Sequence, residues 1–197
     1  MSLKFTAALG AAVFLTALPA FAAPATHIIL GQNPSADCAQ AADAQSQTRL
    51  LEGGRHEALN ACDQALDGAL SPANRTATLA NRGILRASGG QAKQAIADFD
   101  AALARDPSLA DVYVNRGAAL FSAARYTEAR ADFDHAIALK PQNLAVAYFD
   151  RGMANEKSGD VKAAYGDYLQ AQKLAPNFEP VRAELARFHV ARIADNK

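Results

Sequence analysis

Three sets of residues in this chain could do chemistry by type and spacing: two cysteines, a His-Glu pair, and an arginine that recurs with an aspartate at a fixed offset. His56-Glu57 begins like the helical zinc-protease motif, which needs a second histidine one turn later on the same face. Asn60 stands there, so the motif fails. Cys38 and Cys62 are the only cysteines. No Cys-x-x-Cys occurs and no histidine lies at ligand spacing from either, which argues against redox catalysis and metal ligation. In an exported chain an even pair reads first as a disulfide, and closing a loop of this length contributes about 3–4 kcal/mol on the entropy model. His135, beside Asp134, reads as part of a solvated helix face. No glycine-rich phosphate loop, nucleophile elbow or carboxylate cluster appears. The sequence therefore predicts no catalytic residue, no metal and no cofactor.

The arginines are more regular. Arg82 and Asp98, Arg116 and Asp132, and Arg151 and Asp167 are each 16 residues apart. Each arginine is the middle of a triplet, Asn81-Arg82-Gly83, Asn115-Arg116-Gly117 and the near copy Asp150-Arg151-Gly152, whose glycines lie 34 and 35 residues apart. A fixed period of that length marks stacked supersecondary units, none of which buries its apolar face alone. Solvated surface charge is the plain alternative for the arginines and aspartates. One spacing kept three times favours an ion pair inside each unit.

Before the repeats comes a start of a different kind. Met1 to Lys4 is short and basic, Phe5 to Leu18 is apolar, Pro19 breaks the run, and Ala20-Phe21-Ala22 ends it. This is the three-part pattern of a signal peptide, with cleavage expected after Ala22. The run is shorter than the roughly 20 residues of a spanning helix. Basic and acidic residues balance at 20 each, and losing Lys4 leaves a mature chain near −1. That balance gives no support for a nucleic-acid partner. No later stretch is apolar enough to span a membrane, so the mature chain reads as soluble.

Residues 23–36 have no helical period, with Ile28-Ile29-Leu30 as an isolated apolar patch. Helical pattern runs from an N-cap at Asp37 to Leu51, breaks at Gly53-Gly54, and resumes from Arg55 to Leu66. Ser71-Pro72 reads as an N-cap with proline at the first helical position. Helices then follow to Ala87, over 91–105, 109–124, 126–140, 144–157 and 160–174, punctuated by Pro107, Pro141 and Pro176. A last run from Glu179 sets Val181, Leu185, Phe188 and Ile193 against an arginine-bearing face, as a terminal cap would.

These residues resemble the tetratricopeptide repeat. Its pattern places an aromatic, a leucine and a glycine in the first helix, then alanine, aromatic, alanine and proline. Here the positions are Leu79, Arg82, Gly83, Ala95, Phe99, Ala102 and Pro107; then Tyr113, Arg116, Gly117, Ala129, Phe133, Ala136 and Pro141; then Tyr148, Arg151, Gly152, Ala164, Tyr168, Ala171 and Pro176. Arginine replaces the leucine throughout. The resemblance implies an all-α fold, a right-handed α-solenoid of antiparallel helix hairpins. The expected organisation is a signal peptide 1–22, an extended arm 23–36, a degenerate hairpin 37–75, repeats at 76–109, 110–144 and 145–178, and a capping helix and tail 179–197. Gly83, Gly117 and Gly152 are expected to face Ala95, Ala129 and Ala164, with Phe99, Phe133 and Tyr168 filling the gaps between hairpins.

In such arrays the first helices line a concave face where partners bind. That places Ile84, Val114, Phe121, Phe149 and Met153 in an apolar groove for a helix or extended segment of another protein, or for the chain's own arm or last helix. Relatives that grip a peptide's terminal carboxylate use lysine, asparagine and arginine there. Only Asn115 matches, with Ala80, Val146 and Asp150 at the basic positions, so that reading fails. The expectation is an exported, non-catalytic scaffold in a bacterial periplasm with a protein or peptide partner. A self-associating subunit of an envelope assembly is the alternative, and an enzyme would need a constellation that is not visible.

Overall fold

The computed structural model describes residues 38–40, 42 and 52–195. The signal-peptide and arm expectations, and most of the helix expected over 37–51, lie outside them. Cys38 to Gln40 and Ala42 are helical. Eight further helices follow: α1 (Glu52–Asp67), α2 (Pro72–Ser88), α3 (Ala92–Arg105), α4 (Ala110–Ser122), α5 (Tyr126–Leu139), α6 (Leu144–Lys157), α7 (Val161–Leu174) and α8 (Glu179–Asp195). The fold is an all-α solenoid of antiparallel hairpins, α2–α3, α4–α5 and α6–α7, with α1 before them and α8 after.

Local chemistry sets the boundaries. The Ser71 side chain accepts from the Asn74 amide at 3.2 Å and Pro72 opens α2. Asn143 and Asp160 cap α6 and α7 in the same way, accepting from Val146 and Ala163. One reverse turn closes all three first helices. The amides of Gln91, Arg125 and Asp160 donate to the carbonyls of Arg86, Leu120 and Asn155, each at 2.9 Å, which is the six-to-one bond of a Schellman cap. Its left-handed residue is Gly90, Ala124 or Gly159, with φ of 74°, 58° and 89°. Gly53-Gly54, expected as a break, lie within α1, which begins at Glu52. Both glycines lie in the first turn of α1, where a helix has few packing demands to offend.

Each helix packs on its sequence neighbours. The first helices also touch one another, α2 with α4 and α4 with α6, and the second helices have no comparable contact. That asymmetry makes the first helices the inner side of the stack. A single core runs through the repeats, built on Phe99, Phe133 and Tyr168, all fully buried. It reaches α8 through Val181 and Leu185. A smaller cluster joins Cys38, Ala42, Ala58, Cys62 and Leu85.

The glycines meet rings first, and Gly152 also meets the carbonyl oxygen of the expected Ala164 at 3.3 Å. A Cβ on Gly83, Gly117 or Gly152 would lie 2.6, 2.7 and 2.6 Å from the Cε1 of Phe99, Phe133 and Tyr168. The large ring and the missing side chain are therefore partners within one hairpin, and the small alanines let the ring reach across. Beyond the expected place in the core between hairpins, each ring also reaches the glycine of its own hairpin.

Candidate functional site

Each triplet puts three consecutive side chains about 100° apart around a helix, so each residue has its own task. Glycine receives the ring. Arginine faces the second helix. Arg116 donates from Nε to Asp132 Oδ2 at 2.8 Å and from Nη2 to Oδ1 at 2.7 Å. Arg151 grips Asp167 at 3.0 and 2.6 Å, and Arg82 Nη2 reaches Asp98 at 2.6 Å. All three aspartates are buried and the arginines half-buried.

The 16-residue offset did not disclose a second acid on each arginine. Nη1 of Arg82, Arg116 and Arg151 reaches back to Asp63, Asp100 and Asp134 on the preceding helices α1, α3 and α5, at 2.6, 2.6 and 2.7 Å. The guanidinium fork thus ties a hairpin internally and to its neighbour at once, which leucine could not do. Arg116 and Arg151 also lie over the Tyr113 and Tyr148 rings, at 5.4 and 5.3 Å. Hydrogen bonding to Asp132, and to Asp167, raises the two guanidinium groups above their ordinary value against the opposing effect of burial. The buried acids differ in support: Asp98 also accepts from Arg86 at 2.7 Å, and Asp167 from Asn155 at 2.9 Å. Beside Arg151 and Asp167 lies a cleft of about 770 Å³, lined also by Tyr148 and Gly166.

The expected cysteine pair is bonded: Cys38 and Cys62 form a disulfide with Cα atoms 4.8 Å apart, packed beside Leu85 of α2. Among the described residues no group of three or more His, Cys, Asp or Glu side chains could hold a metal. His135 is exposed on α5 with its ring against Tyr113.

The five apolar groove residues are placed differently from expectation. Ile84, Val114, Phe121, Phe149 and Met153 are only 4–8 % exposed and belong to the continuous core. Phe149 packs against Tyr168 and Phe178 at ring separations of 5.7 and 5.3 Å, and Phe121 against Tyr126 at 5.1 Å. Phe121 and Phe149 thus pack on residues of the second helices and on Phe178.

The first residue of each triplet is the one that sequence reasoning dismissed. Asn81, Asn115 and Asp150 occupy one register on α2, α4 and α6, and all three are buried. Among the described residues, both polar atoms of the Asn81 side chain and Oδ1 of Asp150 find no hydrogen-bond partner. Burial pushes the Asp150 carboxyl up to about 8. One turn earlier on α6, Val146 lines a recess of about 330 Å³ with Asn143, Ala145, Ala175, Pro176 and Phe178.

Family models for the tetratricopeptide repeat match residues 110–143 and 145–178. These are tetratricopeptide repeats. The α2–α3 hairpin carries the same glycine–ring pair, arginine fork and reverse turn as the two matched tetratricopeptide units. Among solved tetratricopeptide structures, the first repeat domain of Spaghetti (RPAP3), bound to an HSP90 peptide SRMEEVD, is 25% identical over 60% of this chain and 94% of its own, with a TM-score of 0.57. The second repeat domain of human RPAP3, in complex with the HSP70 peptide SGPTIEEVD, is 26% identical over 59% and 97%, at 0.56. MamA, at 21% identity, covers 77% of this chain and 84% of its own, with a TM-score of 0.65. No curated protein sequence matches the chain.

Proposed function

We propose that this protein is an exported, non-catalytic scaffold that takes a segment of another protein on the inner side formed by α2, α4 and α6. The observation that carries this reading is the repeat array itself, together with its similarity to repeat domains solved with bound peptides. The Cys38–Cys62 disulfide supports an oxidising compartment, as does the signal-peptide pattern of residues 1–22. Among the described residues no helix is long and apolar enough to cross a membrane. The same two features support the reading of a periplasmic location.

The test is site-specific photo-cross-linking in the native cell envelope. A photoreactive residue at position 118, on the inner side of α4, is expected to give a discrete protein adduct, and one at position 105, at the exposed end of α3, none. Adducts from position 105 alone would place the partner on the outer side.

A second reading, self-association, is favoured by one feature. Val161, Leu169 and Leu174 on α7 are 41–52 % exposed, and Leu169 stands where the preceding repeats carry Asp134 and Asp100. Sedimentation that is independent of concentration would reject it.

A further inference from the structure

The three units set the same registers side by side, and at one register the third departs from the second. Leu79, Tyr113 and Tyr148 correspond on the first helices, and Ala101, His135 and Gln170 on the second, at spacings of 34 and 35 residues. In the second unit the His135 ring lies against Tyr113 at 5.4 Å, with an interplanar angle of 31°. Arg116 stands over the same tyrosine, also at 5.4 Å. In the third unit Arg151 keeps that place over Tyr148, at 5.3 Å. Gln170 replaces the histidine, and no ring among the described residues packs on Tyr148. The first unit has neither member of the pair.

Tyr148, Gly166 and Gln170 line the 770 Å³ cleft, whose walls come from α5, α6 and α7. Gly166 stands where the first two units carry Ala97 and Ala131, and a Cβ on it would meet nothing within 4 Å. Gly166 and Gln170 are exposed and Tyr148 is half-buried, so the tyrosine is reached from solvent. Three aspartates and two arginines line the cleft, and Arg151 is committed to Asp134 and Asp167. The exposed Asp160 uses Oδ1 on the Ala163 amide and keeps an acidic edge on the wall. A ring that donates an N–H suits this acid excess better than one that brings further acceptors.

The geometry points to a second docking site in this cleft. It takes an N–H-bearing aromatic side chain of a partner protein, histidine or tryptophan, against Tyr148, in the place that His135 fills in the unit before. At 100° per residue Tyr148, Arg151 and Asn155 fall on a different face of α6 from Phe149 and Met153. The site is therefore separate from the inner side and does not rest on that reading. A scaffold with both can hold two segments at once.

Nuclear magnetic resonance of the isotope-labelled chain, titrated with N-acetyltryptophanamide into the millimolar range, tests the assignment, with N-acetylleucinamide as the control. The tryptophan probe should give saturable shifts at the Gly166 and Gln170 amides, and the leucine probe none. Gln170→His and Tyr148→Leu both use residues that the chain already carries at those registers, and circular dichroism with thermal melting establishes that they fold. Gln170→His should bring its imidazole onto Tyr148, seen as a nuclear Overhauser contact between the two rings, and Tyr148→Leu should remove the platform. Each should weaken the probe about threefold or more. No saturable shift at the cleft, an equal response to both probes, or unchanged binding in either variant would overturn the site. The adduct from position 118 should form in the wild type and both variants, and its absence from all three would overturn the inner-side reading alone.

Discussion

Arg116 and Asp132 meet through two parallel hydrogen bonds of 2.8 and 2.7 Å, while the remaining guanidinium nitrogen of Arg116 holds Asp100 of the preceding repeat at 2.6 Å. The two acids are unlike. The Asp132 side chain is 6 % exposed and that of Asp100 is 56 %.

Their removal should differ accordingly. Asp132→Ala takes two charged hydrogen bonds from a half-buried cation and should cost about 2–3 kcal/mol. Asp100→Ala removes an exposed partner and should cost about 0–1 kcal/mol. Urea titration of both variants measures the split, and equal losses would show the two contacts to be of one kind.

Gly117 and Gly166 make a matched pair. A Cβ on Gly117 would press on the fully buried Phe133 ring at 2.7 Å, so Gly117→Ala should destabilise by about 1–3 kcal/mol. A Cβ on Gly166, within α7, would meet nothing within 4 Å. Gly166→Ala should therefore stabilise by about 0.5–1 kcal/mol through helix propensity. Melting temperatures moving in opposite directions are the expected result.

Ala124 occupies the left-handed position that Gly90 and Gly159 fill in the other repeats, at φ 58°. The steric penalty for a Cβ there is about 1–2 kcal/mol. Ala124→Gly should raise stability by part of that, because glycine also gains freedom in the unfolded chain. A lower melting temperature for Ala124→Gly would show the turn is unstrained.

Asp150 gives a pH dependence of defined sign. Its folded value of about 8 lies above the unfolded value of about 3.9, so the folded chain holds the extra proton between them. The associated stability is complete below the unfolded value and is lost as pH rises through the folded one. Asp150→Asn lacks this titration. Its advantage over the wild type should grow by up to about 1.4 kcal/mol per pH unit between pH 5 and 8. Parallel stability curves for the two proteins would contradict a buried, unpaired carboxyl.

Much of the scaffold could be read from local chemistry. Pro72, with Ser71 before it, and the Gly90 and Gly159 turns place helix ends within a residue or two of where they lie, because caps and breakers act over a few residues. Arg116 and Asp132 were legible because a hairpin of constant length turns sequence spacing into spatial register. Asp63, Asp100 and Asp134 were not, since their offsets to the arginines are 19, 16 and 17 and cross from one repeat to the next. Ile84 and Phe149 illustrate the other failure. Family position put them on the inner side, but how deeply each is buried is a matter of tertiary packing. Asp150 drew notice only as a mismatch to a carboxylate grip, and its lack of a partner is visible only in three dimensions.

The central claim is that the inner side of α2, α4 and α6 receives the partner. Hydrogen exchange of the chain, free and bound to its cross-linked partner, tests this directly. Slower exchange confined to α2, α4 and α6, with α3, α5 and α7 unchanged, is the predicted result. Protection on the second helices with the first helices unaffected would contradict it.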